Sequence, residues 1–429
     1  MGLCEPNGGT HVEGRKILVM MLSRFQQLPA KVRQYLLVTL NYWAFTLTDG
    51  ALRMLVVLHF HALGYDALQI AMLFLFYEFF GVVTNLVGGW LGARIGLNRT
   101  MQMGLLMQVV ALLMLTLPAD YLMIPWVMAA QALSGIAKDL NKMSAKSSVK
   151  HLVSAQQQGQ LYKWVAILTG SKNTLKGVGF FLGAILLSTL GFQYAMLAMA
   201  SFLLVMAVIS AIFLQQDMGK AKYKVKFKDI FSKSAAINRL SLARMCLFAA
   251  RDVWFVVALP VYFASQAGWN DWRVGAFMAS WVIGYGFIQG IAPMITERSD
   301  RNAVQSATVW GWALTLITLL LWIIFQLYAS DHEPLTWILV VGLMAFGFIF
   351  AINSSLHSYL IVALAKSDGV SLDVGFYYMA NAMGRLLGTV ASGYLYLNYG
   401  LQGCLFMATG LLVIASFTIK FVPAPKPIA

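Results

Sequence analysis

The sequence predicts an all-α, polytopic membrane protein with twelve transmembrane helices in two six-helix halves. Hydrophobic residues make up 59% of its 429 residues and charged residues only 11%, far below the roughly 25% of a soluble domain. The apolar residues form runs of about 20, which is the length that a helix needs to cross a hydrocarbon core of roughly 30 Å. A membrane β-barrel would instead show shorter segments of alternating hydrophobicity.

Turn and charge signals divide the apolar runs into twelve segments, with a basic loop at 215–239 in the middle. We therefore expect an N-terminal bundle at 34–214, a C-terminal bundle at 240–421, and terminal tails at 1–33 and 422–429. The predicted spans are 34–61, 68–90, 100–118, 123–141, 161–190, 192–214, 240–264, 272–295, 303–329, 335–363, 372–397 and 401–421.

The basic residues predict the orientation of these helices. With the N-terminus inside, most of the 31 Lys and Arg residues fall in the tails and inner loops, and the outer loops contain only Arg273. Lys and Arg accumulate in the cytoplasmic loops of membrane proteins. Both termini are therefore expected in the cytoplasm of a bacterial cell, with the chain in its inner membrane. The same rule explains the net charge of +14, which on a soluble domain could have indicated nucleic-acid binding.

The two halves show a weak internal repeat. Asp49 in the first helix is followed by Asp66, and Asp252 in the seventh helix is followed by Asp271. Parallel repeats of six helices are typical of transporters whose site lies between the halves, near the bilayer midplane. The pattern therefore favours a transporter with a central cavity.

Eight charged residues fall deep within the predicted spans. Each would cost roughly 2.5 to 3.5 kcal/mol at the centre of a helix in lipid, so we expect them to face a cavity or one another. Helices 1, 2, 5, 7 and 11 contain all eight, which leaves helices 3, 6, 9 and 12 free to meet lipid. The basic members are Arg53, Lys172, Lys176, Arg251 and Arg385, and the acidic members are Asp49, Glu78 and Asp252.

Polar residues near these charges recur at helical spacing, as expected for helix faces that line an aqueous cavity. The stripes are Tyr42, Thr46, Asp49 and Arg53 in helix 1; Thr169, Lys172 and Lys176 in helix 5; and Tyr378, Asn381, Arg385 and Ser392 in helix 11. Gly179 with Gly183, and Gly384 with Gly388, are small-residue pairs that mark close packing between helices.

Two interpretations of the buried charges stay open. Asp49 with Arg53, and Asp252 with an arginine of another helix, can be structural ion pairs. Five bases against three acids still leave a positive surplus, which is expensive in a medium of low dielectric. An anionic substrate would balance it, because arginine and lysine suit phosphate-like oxygens. The predicted substrate-binding residues are Arg385 and Lys172, followed by Arg53, Arg251, Lys176, Tyr42, Tyr378 and Asn381.

The acidic residues could also couple transport to protons. Asp49, Glu78 and Asp252 are each either a protonatable coupling group or the partner of a base. Lys142 and Lys146 belong to a lysine series at the inner end of helix 4, which we interpret mainly as a topology signal. Lys138 and Lys150 complete that series, and Lys138 could guard the inner mouth of the cavity.

No metal site, cofactor or catalytic set is predicted. Cys4, Cys246 and Cys404 are widely spaced and form no metal-binding pattern. His61 and Asp66 fit an acyltransferase string, but they lie in a short outer turn without a surrounding catalytic domain. A membrane-embedded enzyme would require a catalytic cluster at the membrane interface, and the sequence shows none.

The segment GGWLGARIGLNRT at 88–100 resembles the gating-loop motif of the major facilitator superfamily. Ala93 stands where that motif usually has an acidic residue, which removes the charge that normally latches the inward-closed state. The resemblance implies the two-half architecture of that superfamily. The matching motif residues are Gly89, Leu91, Arg94, Gly96 and Arg99.

Three longer segments resemble the ArsJ family of organoarsenical efflux permeases, and the similarity extends from about residue 33 to the end. They are NYWAFTLTDGALRMLVVLHFHALGY at 41–65, FYEFFGVVTNLVGGWLGARIGLNRT at 76–100 and SGIAKDLNKMSAKSSVK at 134–150. The resemblance implies export of 1-arseno-3-phosphoglycerate, and hence arsenate resistance. It also implies a functional partner, the glyceraldehyde-3-phosphate dehydrogenase that makes this substrate. A monomer is expected, and an importer or exchanger of ordinary organophosphates is the alternative.

Overall fold

A computed structural model describes most of the chain, and its regular structure is helical. No strand occurs within the described residues, which confirms the predicted all-α class. The described residues are 27–64, 73–118, 121–153, 158–214, 218–222, 226–230, 234–296, 302–328 and 332–425.

The N-terminal half ends in a long helical stretch that is broken at one glycine. Gly191 has a φ of 75°, a conformation that only glycine adopts readily, so the chain turns back there. The helices of this half are α1 (Ala30–Ala62), α2 (Leu75–Ile95), α3 (Leu97–Met114), α4 (Ile124–Leu152), α5 (158–190) and α6 (192–213).

The C-terminal half repeats this pattern. Its last stretch is broken at Gly400, which has a φ of 64°. The seventh helix is interrupted after Phe255, and its short outer part is Ala258–Ser265. The helices are α7 (Ala235–Phe255, with the outer part), α8 (Asp271–Thr296), α9 (Ala303–Leu327), α10 (His332–Leu364), α11 (370–399) and α12 (401–420).

Exposed apolar side chains mark the helices that meet lipid. Leu106, Val110 and Leu113 of α3 are 44 to 50% exposed and lie on one face. Phe406 and Phe417 of α12 are exposed in the same way. Such surfaces are costly in water but suit a bilayer. In the described part of the chain, six helical stretches are long and apolar enough to cross a membrane, including both glycine-broken ones.

The two halves touch through glycines near one end of the bundle. We call it the closed end; there α1 begins, α12 ends, and the loops α2–α3, α4–α5 and α10–α11 lie. A Cβ on Gly89 of α2 would lie 2.5 Å from the carbonyl oxygen of Ser371 on α11. A Cβ on Gly170 of α5 would lie 2.5 Å from the carbonyl oxygen of Gly286 on α8. A buried apolar cluster that includes residues of both halves fills this end.

Candidate functional site

Glycine contacts within each half bring the charged helices together. A Cβ on Gly179 or Gly183 of α5 would lie 2.6 or 2.5 Å from a backbone oxygen of α1. On α11, Gly384 and Gly388 press against the backbone of α7 in the same way. The predicted small-residue pairs are therefore packing sites. They place the basic stripe of α5 beside the stripe of α1, and the stripe of α11 beside the charges of α7.

Asp252 on α7 joins two of the predicted basic residues. Its Oδ1 lies 2.5 Å from Nη2 of Arg251, and its Oδ2 lies 3.2 Å from Nε of Arg385 on α11. The Asp252 side chain is fully buried, whereas the Arg385 side chain is 39% exposed. The predicted pairing of Asp252 with an arginine of another helix is present. A single carboxylate therefore contacts two guanidinium groups.

Tyr77 of α2 connects the charges of the N-terminal half. Its hydroxyl donates a hydrogen bond of 2.6 Å to Oδ1 of Asp49. Its ring lies beneath two cations, with Arg53 Cζ 4.7 Å and Lys138 Nζ 3.7 Å from the ring centroid. Cation–π contacts of this kind stabilise charges that have lost water. The side chain of Glu78 lies outside the described residues, so its coupling role stays a prediction.

Two lysines that we interpreted as topology signals lie inside the bundle instead. Lys142 and Lys146 are 8% and 3% exposed, because α4 continues to Leu152 rather than ending near residue 141. Nζ of Lys142 lies 2.5 Å from Oδ1 of Asp139. Nζ of Lys146 donates a 2.6 Å hydrogen bond to the hydroxyl of Tyr378 on α11, which crosses from one half to the other.

Arg244 is a further buried cation, which lies within the predicted seventh span but was not among the predicted site residues. It is on α7 and is 3% exposed. Its Nε donates to Oδ1 of Asn381 at 2.9 Å, and its Nη1 donates to the carbonyl and hydroxyl oxygens of Ser354 at 3.0 and 3.1 Å. All three acceptors are neutral. Asn381, predicted to bind substrate, therefore binds this arginine.

Lys146, Lys172 and Arg244 form what we call the basic cluster. Lys146 interacts electrostatically with both other members. Lys172 is also repelled by Lys142, Lys138 and Arg385, and it is attracted by Asp139. Lys172 makes no hydrogen bond or ion pair within the described part of the chain. The hydrogen-bond partners of Lys146 and Arg244 are neutral. Like charges in a medium of low dielectric repel strongly, so this cluster needs a negative charge.

Tyr42 lies in the same region and has an unused hydroxyl. The side chain is 1% exposed and interacts electrostatically with Tyr378, Asp139 and Asp49. Its hydroxyl has no hydrogen-bond partner among the residues that the structure describes. A buried polar group without a partner costs about 1 to 3 kcal/mol, so this hydroxyl is a candidate to bind a substrate. Lys176 is half-buried on α5, where its carbonyl oxygen packs against Gly50 of α1.

The predicted gating residues lie at the closed end. Gly96, with a φ of 104°, joins α2 to α3, and Arg94 and Arg99 are exposed beside it. The backbone there binds residues 218–222, which we call the docked linker. Leu97 N–H donates to the carbonyl of Met218 at 2.8 Å.

The docked linker also bonds to Ala93 and to the other half. Ala221 N–H donates to the carbonyl of Ala93 at 2.8 Å, and Ala93 itself is 1% exposed. Lys222 N–H donates at 3.0 Å to Oδ1 of Asp368, in the loop between α10 and α11. Backbone hydrogen bonds and the Gly89 contact therefore stand where the gating motif usually has an ionic contact.

The described residues show no group of three or more His, Cys, Asp or Glu side chains that could hold a metal ion. Cys246 and Cys404 are buried free thiols, on α7 and α12. The groups described above are ammonium, guanidinium and hydroxyl groups that lie where the two halves meet. Such groups bind oxyanions by charge and hydrogen bonding.

Solved structures with the same fold are membrane transporters. The human organic anion transporter MFSD10 (TETRAN) superposes with a TM-score of 0.72 at 16% identity, covering 91% of this chain and 100% of that chain. FucP, solved in its outward conformation, superposes with a TM-score of 0.73 at 10% identity, covering 92% of this chain and 100% of that chain. A bacterial homologue of the iron transporter ferroportin, solved in an outward-facing state, superposes with a TM-score of 0.72 at 12% identity. The match covers 91% of this chain and 98% of that chain.

The sequence comparisons identify the family. No curated protein matches the chain. The model of the Major Facilitator Superfamily matches residues 35–358 and 240–429, which together span nearly the whole length. Proteins of this family and fold are transporters rather than enzymes, and they bind small substrates within the bilayer. This chain therefore belongs to the major facilitator superfamily and is a multi-pass membrane transporter.

Proposed function

We propose that this transporter exports a small, multiply charged organic anion, and that the anion is 1-arseno-3-phosphoglycerate. The observation that supports this best is the basic cluster of Lys146, Lys172 and Arg244. Three cations lie together between the two halves, and the groups that they contact directly are neutral. An anion that enters the cavity gains attraction there without having to displace a resident carboxylate.

The donor chemistry suits a pentavalent arsenic or phosphorus oxyanion. Both are hard oxygen ligands, so ammonium and guanidinium groups bind them and thiols are not required. The resemblance to the ArsJ family supplies the arsenic part of the proposal. The organic anion transporter of the same fold supports the broader class of substrate.

Export is the direction that we propose, and the orientation of the bundle is compatible with it. The closed end bears exposed basic residues, including Arg94, Arg99, Lys222 and Lys366, which favours a cytoplasmic location for this end and for both termini. The described conformation is then outward-facing, the state from which an exporter releases its substrate. An inside-negative potential favours anion exit by about 2.3 kcal/mol per charge per 100 mV. We propose that the protein works as a monomer in the bacterial inner membrane, with its two bundles at 34–214 and 240–421.

Proton coupling is a separate part of the proposal. Asp49 accepts a hydrogen bond from Tyr77, and Asp252 binds two arginines, so both carboxylates are already engaged in structural contacts. We therefore favour export driven by the membrane potential. Export measured with and without a pH gradient at fixed potential tests this, since proton exchange requires a difference between the two conditions.

Everted membrane vesicles provide the test of substrate and direction. Arsenate, glyceraldehyde-3-phosphate and the partner dehydrogenase are supplied outside, and arsenic accumulation inside is measured. We expect accumulation only when all three are present, and a loss of most of it in the double variant Lys172→Gln/Arg385→Gln. Lys366→Gln removes one exposed charge at the closed end and should leave accumulation unchanged.

Two results would contradict this proposal. Accumulation that persists in the double variant would refute the assigned site. Accumulation of labelled 3-phosphoglycerate without any arsenic transport would favour the alternative, an exchanger of ordinary organophosphates, whose oxyanion chemistry the same cluster can serve.

A further inference from the structure

By their positions along α7 and α11, the buried cations lie at two levels along the bundle axis. Arg251 and Arg385 form the first level, around Asp252. Lys146 and Arg244 form the second level, nearer the closed end, beside Tyr378 and Asn381. Lys172 interacts electrostatically with members of both levels. The levels differ in composition, because the first has a carboxylate and the contacts of the second are neutral.

Two helices give the same spacing between the levels. Arg244 and Arg251 are seven residues apart on α7, and Tyr378 and Arg385 are seven residues apart on α11. At 1.5 Å of rise per residue this is about 10 Å, or two helical turns. Seven residues also return to nearly the same helix face, so the side chains at both levels point in similar directions.

We propose that the second level is a distinct oxyanion subsite, and that the transporter selects substrates with an oxyanion group at each end of a short carbon chain. This inference rests on the proposed function and specifies its substrate class. One end contacts Arg385 and Arg251, the other contacts Lys146 and Arg244, and Lys172 lies between them. A hydrogen bond of about 2.9 Å at each end takes up part of the 10 Å and leaves room for a chain of a few carbons.

The neutral partners explain why the second level can accept an anion. Arg244 uses Nε and Nη1 on Asn381 and Ser354, which fixes the plane of the guanidinium and leaves Nη2 available. Lys146 uses one of its three protons on Tyr378. The unused hydroxyl of Tyr42, buried close to Tyr378, adds a neutral donor. A bound oxyanion would supply the negative charge that the two cations lack.

The subsite also lies on the seam between the halves. Lys146 is on α4 of the N-terminal half, while Arg244 and Tyr378 are on α7 and α11 of the C-terminal half. An anion bound there contacts both halves at once. Binding at this level therefore depends on the relative position of the halves, whereas Arg251 and Arg385 both belong to the C-terminal half.

A matched pair of ligands tests the inference. Propane-1,3-diphosphonate has an oxyanion at both ends, and propylphosphonate has the same chain with one. Binding of each to the purified full-length protein is measured by calorimetry. We expect wild type to bind the two-ended ligand about 10- to 100-fold more tightly, the gain from added hydrogen bonds to charged groups. Lys146→Gln and Arg244→Gln should weaken the two-ended ligand more than propylphosphonate and so remove this advantage.

Three further variants complete the design. Arg385→Gln should weaken both ligands, because it removes the first level. Lys146→Arg keeps the charge and should retain most of the advantage, which separates an electrostatic role from a packing role. Lys366→Gln, an exposed position at the closed end, should change neither affinity. Size-exclusion chromatography identifies folded protein, and Arg244→Lys replaces Arg244→Gln if the latter is unfolded.

The outcomes separate this inference from the proposed function. Equal affinity of wild type for the two ligands would overturn the second subsite and leave an anion transporter with one oxyanion site. Equal weakening of both ligands by Lys146→Gln and Arg244→Gln would also overturn it, since the levels would then act as one. Binding of neither ligand would overturn both the inference and the proposed anionic substrate.

Discussion

Gly89 offers a direct test of how the closed end is held. In Gly89→Ala, the new Cβ would lie 2.5 Å from the carbonyl oxygen of Ser371 and 3.1 Å from Cα of Gly375. Ordinary van der Waals contact begins at 3.4 Å, and both obstacles are backbone atoms of α11 that cannot rotate away. The two helices must therefore move apart, and the contact between α2 and α11 loosens.

The size of the effect follows from the cost of overpacking. Adding a methyl group to a well-packed contact costs typically 1 to 3 kcal/mol. We expect α2 and α11 to separate when this end of the transporter opens. The cost therefore applies only to the conformation in which this end is closed. A difference of this size shifts the equilibrium between the two conformations about 5- to 150-fold towards the state that is open at this end.

Spin labels report the shift directly. Arg94 and Lys366 are exposed at the closed end, one in each half, and Cys246 and Cys404 are buried, so a Cys4→Ser background permits labelling of Arg94→Cys/Lys366→Cys. Pulsed dipolar spectroscopy should show one main distance in this reference protein.

We expect a second, longer distance to become dominant when Gly89→Ala is added. Gly410→Ala on α12 is the matched control, because its Cβ meets no atom within 4 Å. A distance distribution that is unchanged by Gly89→Ala would refute the conclusion that glycine contacts hold this end closed.

Two other predictions concern Asp252 and Asp368. Asp252→Asn should lower the melting temperature, since breaking a fully buried ion pair costs about 3 to 5 kcal/mol, although less here because the Arg385 side chain is 39% exposed. Propane-1,3-diphosphonate should then raise the melting temperature of this variant more than that of wild type, and an equal or smaller rise would contradict the role of anions in balancing the site. Asp368→Ala should speed hydrogen exchange at the Lys222 amide, which loses its acceptor, but not at Ala221, which bonds to a backbone carbonyl. Equal exchange at Lys222 in both proteins would show that this bond does not hold the docked linker.

The sequence predicts the fold well because the membrane imposes strong rules. Long apolar runs, a basic inner side and glycine pairs at Gly179/Gly183 and Gly384/Gly388 each reflect one physical constraint on helices in lipid. The all-helical class follows from them, whereas the superfamily was implied by the resemblance of residues 88–100 to its gating-loop motif. Both agree with the structure and the comparisons.

The candidate site was predicted less completely. Charged residues were interpreted in some places as the end of a helix and in others as buried site residues. Lys142 and Lys146 were assigned to a loop, yet 142–150 contains neither Gly nor Pro and continues α4. The absence of a helix breaker was the available signal, and it would have added Lys142 and Lys146 to the predicted set. Arg244 lies inside the predicted seventh span, but it was not counted among the charges deep within the spans.

Which charged side chains contact each other could not be derived from their spacing in the sequence alone. Asp252 lies beside Arg251 in the sequence, but its contact with Arg385 depends on how α7 packs against α11. Likewise Tyr77, which connects Asp49 to two cations, is an unremarkable aromatic residue in the sequence. Side chains that link helices become apparent only when the packing is known.

Ala93, which stands where the gating motif usually has an acidic residue, removes one salt-sensitive contact from the closed end. An ionic latch weakens as ionic strength rises, because mobile ions screen exposed charges within about 10 Å at 0.1 M. Among the described contacts, the Gly89 contact and the backbone hydrogen bonds of the docked linker hold this end, and neither is screened by salt. The part of the closed-state stability that these contacts supply should therefore stay nearly constant when the ionic strength on this side of the membrane changes.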